Sequence, residues 1–369
     1  MMQTRRTIGL LFGGRSAEHE VSKLSAANVL RALDPDRYDI VLIGIGRDGR
    51  WLLCDSGNGA GRGARSLEIP DGAPAVTLMP GGNGDMIVLD GKASPPLHLD
   101  AVVPVLHGPN GEDGTVQGYL QLANVPFVGS GVMGSAAGMD KDVAKRLLRD
   151  AGIPVVPYVT VTQRSPVDYR SAVDALGTGD LFVKPANMGS SVGVARATNG
   201  DEFAKACENA LRYDTKVLVE KSIAGAREIE CSVLEDASGT IRTSPLGEIV
   251  PASSHGFYSY DAKYIDADGA LLRVPAELSA EQTDRIRGLA AETFKALSCE
   301  AMARVDFFVD PNREETLFVN EVNTFPGFTS ISMYPKLWEA GGLPTQELME
   351  VLIDHALARH ERRNALALV

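Results

Sequence analysis

The stretch that most constrains this chain runs from Met302 to Ser332, MARVDFFVDPNREETLFVNEVNTFPGFTSIS. Two runs rich in Val and Phe flank a turn-forming Asp310-Pro311-Asn312, which predicts a β-hairpin or a close pair of antiparallel strands. Strand side chains alternate between faces, so Arg304 and Asp306 fall on one face, as do Glu321 and Asn323. Val305, Phe307 and Val309 against Phe318 and Val322 are expected to make the opposite, apolar face. A polar face of Arg, Asp, Glu and Asn is costly to bury without a partner. Carboxylate and amide oxygens without thiol or imidazole suit a hard cation, Mg²⁺ or Mn²⁺, held partly by substrate phosphates. An ordinary surface hairpin with a solvated outer face is the alternative. Asn323-Thr324-Phe325-Pro326-Gly327 favours the metal, because a Pro-Gly turn after the acidic strand places backbone N–H groups beside that face.

The rest of the chain, 369 residues in all, is long enough for two or three domains. Its net charge of −12 argues against a nucleic-acid or anionic-membrane partner, while leaving room for a local cationic nucleotide pocket. Four scattered cysteines without C-x-x-C spacing suggest neither a zinc site nor a disulfide framework. The apolar run Ile8 to Phe12 is too short for a signal-peptide core or a membrane span, so a cytoplasmic location is expected.

Thr7–Phe12 reads as a buried strand, followed by Gly13-Gly14 and by Ser16 as N-cap of a helix to about Leu33 with Glu18 and His19 in its first turn. Strand, glycine turn and helix start make a common ligand-facing corner of an α/β sheet. Residues 56 to 97 read as an excursion from the first domain, with weak strands at Ala75–Met79 and Met86–Leu89. His107 opens a glycine-rich loop after the strand Leu99–Leu106, which makes it either a site residue or a loop histidine bonded to backbone. Gly129-x-Gly131-x-x-Gly134 has the dinucleotide spelling, but no acid ends a second strand about 20 residues on, and a single helix Ser135–Asp150 is expected instead. Further on, the pattern predicts a strand Val155–Val161, a Ser165-capped helix Pro166–Leu176, and strands at Leu181–Lys184 and Val217–Glu220. Separate strands are expected at Thr240–Ser244 and Gly247–Val250, then a lid-like loop over 251–270. Ser279-x-x-Gln282 is a capping box, and the last helix is expected to fray after His360.

Lys184-Pro185-Ala186-Asn187-Met188-Gly189-Ser190-Ser191-Val192-Gly193-Val194 places a lysine at a strand end before a small-residue loop dense in backbone N–H groups. That is a phosphate cradle in its chemistry, with a plain surface turn as the alternative. Glu220 and Glu228 can accept hydrogen bonds from an adenine amine and ribose hydroxyls, or be solvated acids.

Together these pieces resemble the ATP-grasp superfamily, and within it the D-alanine–D-alanine ligases. The resemblance rests on LLFGGRSAEHEVS (10–22), LHGPNGEDGTVQG (106–118), PFVGSGVMGSAAGMDK (126–141), VKPANMGSSVGV (183–194), FYSYDAKY (257–264), ARVDFF (303–308) and NEVNTFPGFTSIS (320–332). It implies a three-domain α/β ATP-grasp architecture: an N-terminal parallel α/β domain (1–138), then central (139–224) and C-terminal (225–369) α+β domains enclosing the nucleotide. By the same resemblance Lys141 and Lys184 contact the ATP phosphates, under Ser190, Ser191 and their backbone. Glu220 with the main chain near Lys221 and Ile223 reads the adenine, and Glu228 the ribose. Asp306, Glu321 and Asn323 hold two Mg²⁺ or Mn²⁺ ions. Arg304 and the Gly327 amide stabilise the oxyanion. Glu18 and Ser332 hold the first D-alanine with His107 near its carboxylate, while Tyr258, Lys263 and Tyr264 come from the lid. The reaction implied joins two D-alanines through a D-alanyl phosphate for peptidoglycan synthesis, in a protein expected to be a homodimer. Rival readings are a ligase forming a D-alanyl-D-lactate ester, a nicotinamide oxidoreductase and a non-catalytic ATP-binding regulator.

Overall fold

The computed structural model describes residues 5–56, 61–92, 95–251, 270–310, 313 and 316–367. Tyr258, Lys263 and Tyr264, with Pro311 and Asn312, lie outside them.

The chain begins with β1 (Arg6–Gly13), α1 (His19–Ala32), β2 (Tyr38–Ile45), β3 (Trp51–Ser56), β4 (Val76–Leu78), β5 (Asp85–Val88), β6 (Leu97–His98), β7 (Ala101–Pro104) and α2 (Thr115–Leu122). One sheet has the order β3-β2-β1-β7, with β1 parallel to both β2 and β7 and β3 an antiparallel edge. Ile8, Leu10, Leu11 and Phe12 are all fully buried, which is why β1 reads as a continuous apolar run. The small sheet β4-β5-β6 contributes Val76, Leu78 and Met86 to the core of Val41, Ile43 and Ile45, so the excursion has no separate core. Ser16 does not cap α1. Its hydroxyl donates to the His107 carbonyl (2.8 Å) and accepts from the Glu18 N–H (3.2 Å), tying two loops together, and the helix opens three residues later with Glu18 at its N-cap position.

The expected helix over 135–150 is two helices, α3 (Val132–Met139) and α4 (Lys141–Asp150). Asp140 is extended, and its carboxylate accepts from the N–H groups of Asp142 (3.1 Å) and Val143 (3.0 Å). An N-cap carboxylate satisfies orphan donors at a new helix start, and here it makes Lys141 the first residue of α4. The glycines of the dinucleotide spelling serve packing. Gly131 N–H donates to Glu300 (2.9 Å), and a Cβ on Gly134 would collide with the Ser298 carbonyl.

Next come β8 (Tyr158–Thr162), α5 (Tyr169–Leu176), β9 (Leu181–Pro185), β10 (Ala195–Ala197), α6 (Gly200–Ala210) and β11 (Lys216–Lys221). Their sheet, β10-β9-β11-β8, is antiparallel throughout. Asp168, not Ser165, caps α5 by accepting from Ser171 N–H at 2.7 Å, while Ser165 closes a turn with Thr162.

The last third holds β12 (Arg227–Glu235), β13 (Ile241–Pro251), β14 (Ala270–Arg273), α7 (Ala280–Ala296), β15 (Met302–Val309), β16 (Leu317–Asn323), α8 (Met333–Ala340) and α9 (Thr345–Asn364). The antiparallel order is β14-β13-β12-β15-β16. β13 is one strand where two were expected. Its register against β12 shifts between Cys231 and Val233, and that irregularity accommodates Pro245, which has no N–H to give to a ladder. The capping box at Ser279 and Gln282 is present, and α9 runs to Asn364, past the expected fray at His360.

The expected hairpin partners are β15 and β16, with Arg304 opposite Asn323 and Asp306 opposite Glu321. Beyond Asp306 the register shifts so that Phe307 faces Val319, leaving Asn320 as an extra residue. Phe318 therefore pairs with Phe308 off the core, and the apolar face is Val305, Phe307 and Val309 with Leu317, Val319 and Val322. That face packs on α7 through Ile286, Ala290 and Phe294. Each fully buried Val, Leu, Ile or Phe side chain there contributes on the order of 1.5–3 kcal/mol. On the other face α8 covers one end through Tyr334 and Trp338, beside Leu234 and Met302. The uncovered end, bearing Glu228, Glu230, Arg304, Asp306 and Glu321, forms part of a cavity wall.

Candidate active site

A cavity of about 600 Å³ lies between the second sheet and the third, a volume in the range of ligand sites. β9 and β11 supply Lys184 and Glu220, α4 supplies Lys141, and β15 and β16 supply Arg304, Asp306 and Glu321. Ser191, Lys221, Ile223 and Glu228 also line it. A smaller cavity of about 110 Å³ adjoins it, lined by Glu18, His107, Ser190, Asn323, Gly327 and Ser332. Glu230, Arg304 and Glu321 face both, so the acidic sheet face is a shared wall.

The wall is tightly paired. Arg304 donates to both Asp306 oxygens at 2.7 Å and stands 3.1 Å from Glu230. Burial opposes its charge, but Asp306, Glu230 and Glu321 outweigh that cost and hold the guanidinium far above its usual range. The Asn323 amide donates to Asp306 (3.0 Å), and Lys141 stands 3.3 Å from Glu321. Two carboxylates and an amide, with no imidazole or thiol, leave most of a hard cation's shell to other oxygens, as a phosphate-bound Mg²⁺ requires. The residues present fit such an ion, and a divalent metal there would neutralise the charge gathered where a triphosphate meets a carboxylate.

On the cationic side, Lys141 donates to the Met188 carbonyl (2.7 Å), which fixes it under the loop 187–194. Asp214 holds the start of that loop through Asn187 N–H (2.8 Å) and its amide (2.9 Å). Ser190 and Ser191 both have positive φ, 51° and 58°, an uncommon conformation for residues with a Cβ. The Ser190 hydroxyl donates to Glu18, joining the loop to the first sheet's helix. A Cβ on Gly189 would stand 3.1 Å from Glu18 Oε2.

In the smaller cavity His107 Nε2 lies 3.1 Å from Ser25 Oγ, and burial lowers the imidazole's pKa. Ser332 accepts from Thr329 N–H at 2.9 Å. Glu112, which accepts from Gly108 N–H at 2.8 Å, is pushed up to about 8 by burial with the Glu18 charge beside it.

The structure thus brings together every described residue that the sequence singled out. It adds Glu112, Glu230, Asn320 and Lys145, which sequence reasoning missed. Glu230 was visible two residues after Glu228 on a strand, and Lys145 four after Lys141 on a helix. Asn320 enters the site because of the register shift, which its sequence does not announce. Glu220, expected at the adenine, has its carboxylate 2.7 Å from Lys184 and 3.0 Å from Lys145. Their charges overcome burial and depress its pKa.

The loop 187–194, two lysines and an acidic face meet around one cavity, in a mixed α/β fold of the ATP-grasp type. Family models described as D-ala D-ala ligase N-terminus and C-terminus match residues 7–130 and 147–354. D-alanine–D-alanine ligase B of Bradyrhizobium diazoefficiens is 64% identical over 370 aligned positions, covering 100% of this chain and 98% of that protein. The D-alanine–D-alanine ligase structure from Coxiella burnetii superposes with a TM-score of 0.84 at 38% identity, covering 98% of this chain and 96% of that one. The VanG D-Ala:D-Ser ligase of Enterococcus faecalis gives 0.82 at 34% identity, covering 96% and 100%. The chain belongs to the D-alanine–D-alanine ligase family.

Proposed function

We infer that this protein is an ATP-dependent D-alanine–D-alanine ligase of cell-wall synthesis, using ATP and a divalent metal. The observation that carries the reading is the shared wall: Arg304 and Glu321 face both the large cavity, of nucleotide size, and the small one, of amino-acid size. A carboxylate has no competent leaving group, so it must be activated, and the join between two such cavities is where a γ-phosphoryl group would meet it. The oxygen of the first D-alanine's carboxylate attacks the γ-phosphorus and ADP leaves. The neutral amine of the second attacks the acyl carbon, phosphate departs with the bonding pair, and the amine loses its proton.

In this reading Lys141, Lys184, Ser191 and the loop amides hold the phosphates, and Lys221, Ile223, Glu220 and Glu228 the nucleoside. Asp306, Glu321 and Asn323 would ligate two Mg²⁺ or Mn²⁺ ions. Arg304 and the Gly327 amide would stabilise the oxyanion, with preorganised donors acting where charge develops. Glu18, His107, Ser190 and Ser332 would hold the first D-alanine, and Tyr258, Lys263 and Tyr264 would close over both substrates. The division into 1–138, 139–224 and 225–369, a homodimer, and a cytoplasmic location belong to the same proposal. Among the described residues no helix is long and apolar enough to cross a membrane.

The test is incubation with ATP, Mg²⁺ and D-alanine, alone and with equal D-serine or D-lactate, quantifying phosphate and every product. D-Alanyl-D-alanine in step with phosphate is expected. Phosphate without dipeptide, or a mixed product in preference, would overturn the assignment.

A further inference from the structure

Behind the nucleotide cavity sits a buried lysine that the reaction as described does not use. Lys145, on the same face of α4 as Lys141 and one turn further on, is 2% exposed and does not line the cavity. Its Nζ stands 3.0 Å from Glu220 Oε1, an ion-pair distance outside hydrogen-bond alignment. The other Glu220 oxygen stands 2.7 Å from Lys184 Nζ as a second ion pair, and Lys184 donates to Asn320 Oδ1 at 3.1 Å. The Tyr158 ring lies 5.8 Å from Lys145 Nζ. Glu220 and Lys184 both line the cavity and Lys145 does not, so Lys145 answers Glu220 from behind the cavity wall.

A buried carboxylate needs a compensating charge. With Lys184 alone, that compensation would cancel the charge Lys184 offers to a phosphate. Two ammonium groups on one carboxylate leave the cluster with a positive surplus on its cavity side. Lys184 has three donors, of which Asn320 takes one, and its ammonium also faces Glu220 at ion-pair distance.

We propose that Lys145 is a positioning residue for the nucleotide: it neutralises Glu220 from behind, so that the charge of Lys184 stays available to the ATP phosphates. Burial, opposed by the Glu220 charge and reinforced by that of Lys184, brings the Lys145 ammonium down to about 8, consistent with a strained but occupied ion pair. The inference rests on the reading of Lys184 as a phosphate ligand.

The test uses the full-length enzyme with Lys145→Met, which keeps the side chain's length and removes its charge. KM for ATP and the Kd for ATP by calorimetry should rise roughly 10- to 100-fold, the loss of one charge-assisted interaction, while kcat stays within about threefold. Adding Glu220→Gln removes the charge that Lys145 answers. The double variant should therefore bind ATP within about threefold of Glu220→Gln alone, and this comparison also decides the matter if Lys145→Met fails to fold. A lower melting temperature with unchanged KM, a fall in kcat alone, or additive losses in the double variant would overturn the role. Lys184→Met checks the underlying reading separately: unchanged ATP affinity there would remove the phosphate assignment itself.

Discussion

Arg304 offers the sharpest test of the shared wall. It is bonded through two guanidinium nitrogens to Asp306 and pairs with Glu230, whose side chain is only 6% exposed. Arg304→Ala would remove the cation that answers both acids. Breaking a buried ion pair by removing one partner costs about 3–5 kcal/mol, so the alanine variant mixes instability with lost chemistry. Arg304→Lys separates them. An ammonium can still answer Glu230 or Asp306, but it lacks the planar fork that two parallel bonds require. The lysine variant should keep most of the stability while losing the guanidinium donor proposed for the oxyanion. The loss of one such donor typically lowers kcat by about 10²–10³. Initial rates with ATP and with D-alanine varied separately, beside melting curves, resolve the two effects. Arg304→Lys should show low kcat with KM for ATP near wild type. A variant defective only in KM, or one retaining full kcat, would refute the oxyanion role.

Glu321→Gln should lower metal affinity or activity roughly 10- to 100-fold or more, read from the Mg²⁺ dependence of the rate, with an unchanged melting temperature in metal-free buffer. Gly327→Ala places a Cβ 2.8 Å from Ser332 Oγ; displacing that hydroxyl should raise KM for D-alanine about tenfold and leave ATP binding alone, as calorimetry would report. Glu112 holds its proton up to about 8 in the folded chain, above the ordinary carboxyl value near 4.3. The native state then binds more protons than the unfolded one across that window, so this group's contribution is fully present below the ordinary value and is lost as pH rises through about 8. Glu112→Gln, which mimics the protonated acid, should flatten the decline in melting temperature between pH 5 and 8, and an identical slope in both proteins would contradict it.

What the sequence made legible was the chemistry whose order along the chain matches its order in space. Alternation alone placed Arg304 beside Asp306 and Glu321 beside Asn323, and a lysine before a small-residue loop pointed to a segment that does border the cavity. Boundaries were less legible where side chains compete for backbone groups. Ser16 and Ser165 have the right residue type for a helix N-cap, yet each is engaged in loop or turn bonds while Glu18 and Asp168 occupy the positions. The break at Asp140 was hidden because an acid followed by a helical pattern is equally an ordinary helix residue.

The same cause explains why Gly129-x-Gly131-x-x-Gly134 looks like a cofactor fingerprint and is not one. Glycine reports only that something comes close, and the spelling does not say whether the neighbour is a pyrophosphate or another part of the chain. Here the neighbours are Glu300 and Ser298. Arg359 of α9 reaches into the same join, donating to the carbonyls of Gly129 and Phe127 at 2.6 Å and pairing with Glu300 at 3.1 Å. That join locks the first sheet's unit to the third, which keeps Glu18 and His107 in register with Gly327 and Ser332 across the smaller cavity. The glycines therefore act on the site at one remove, by fixing the distance between the two sides of the smaller cavity.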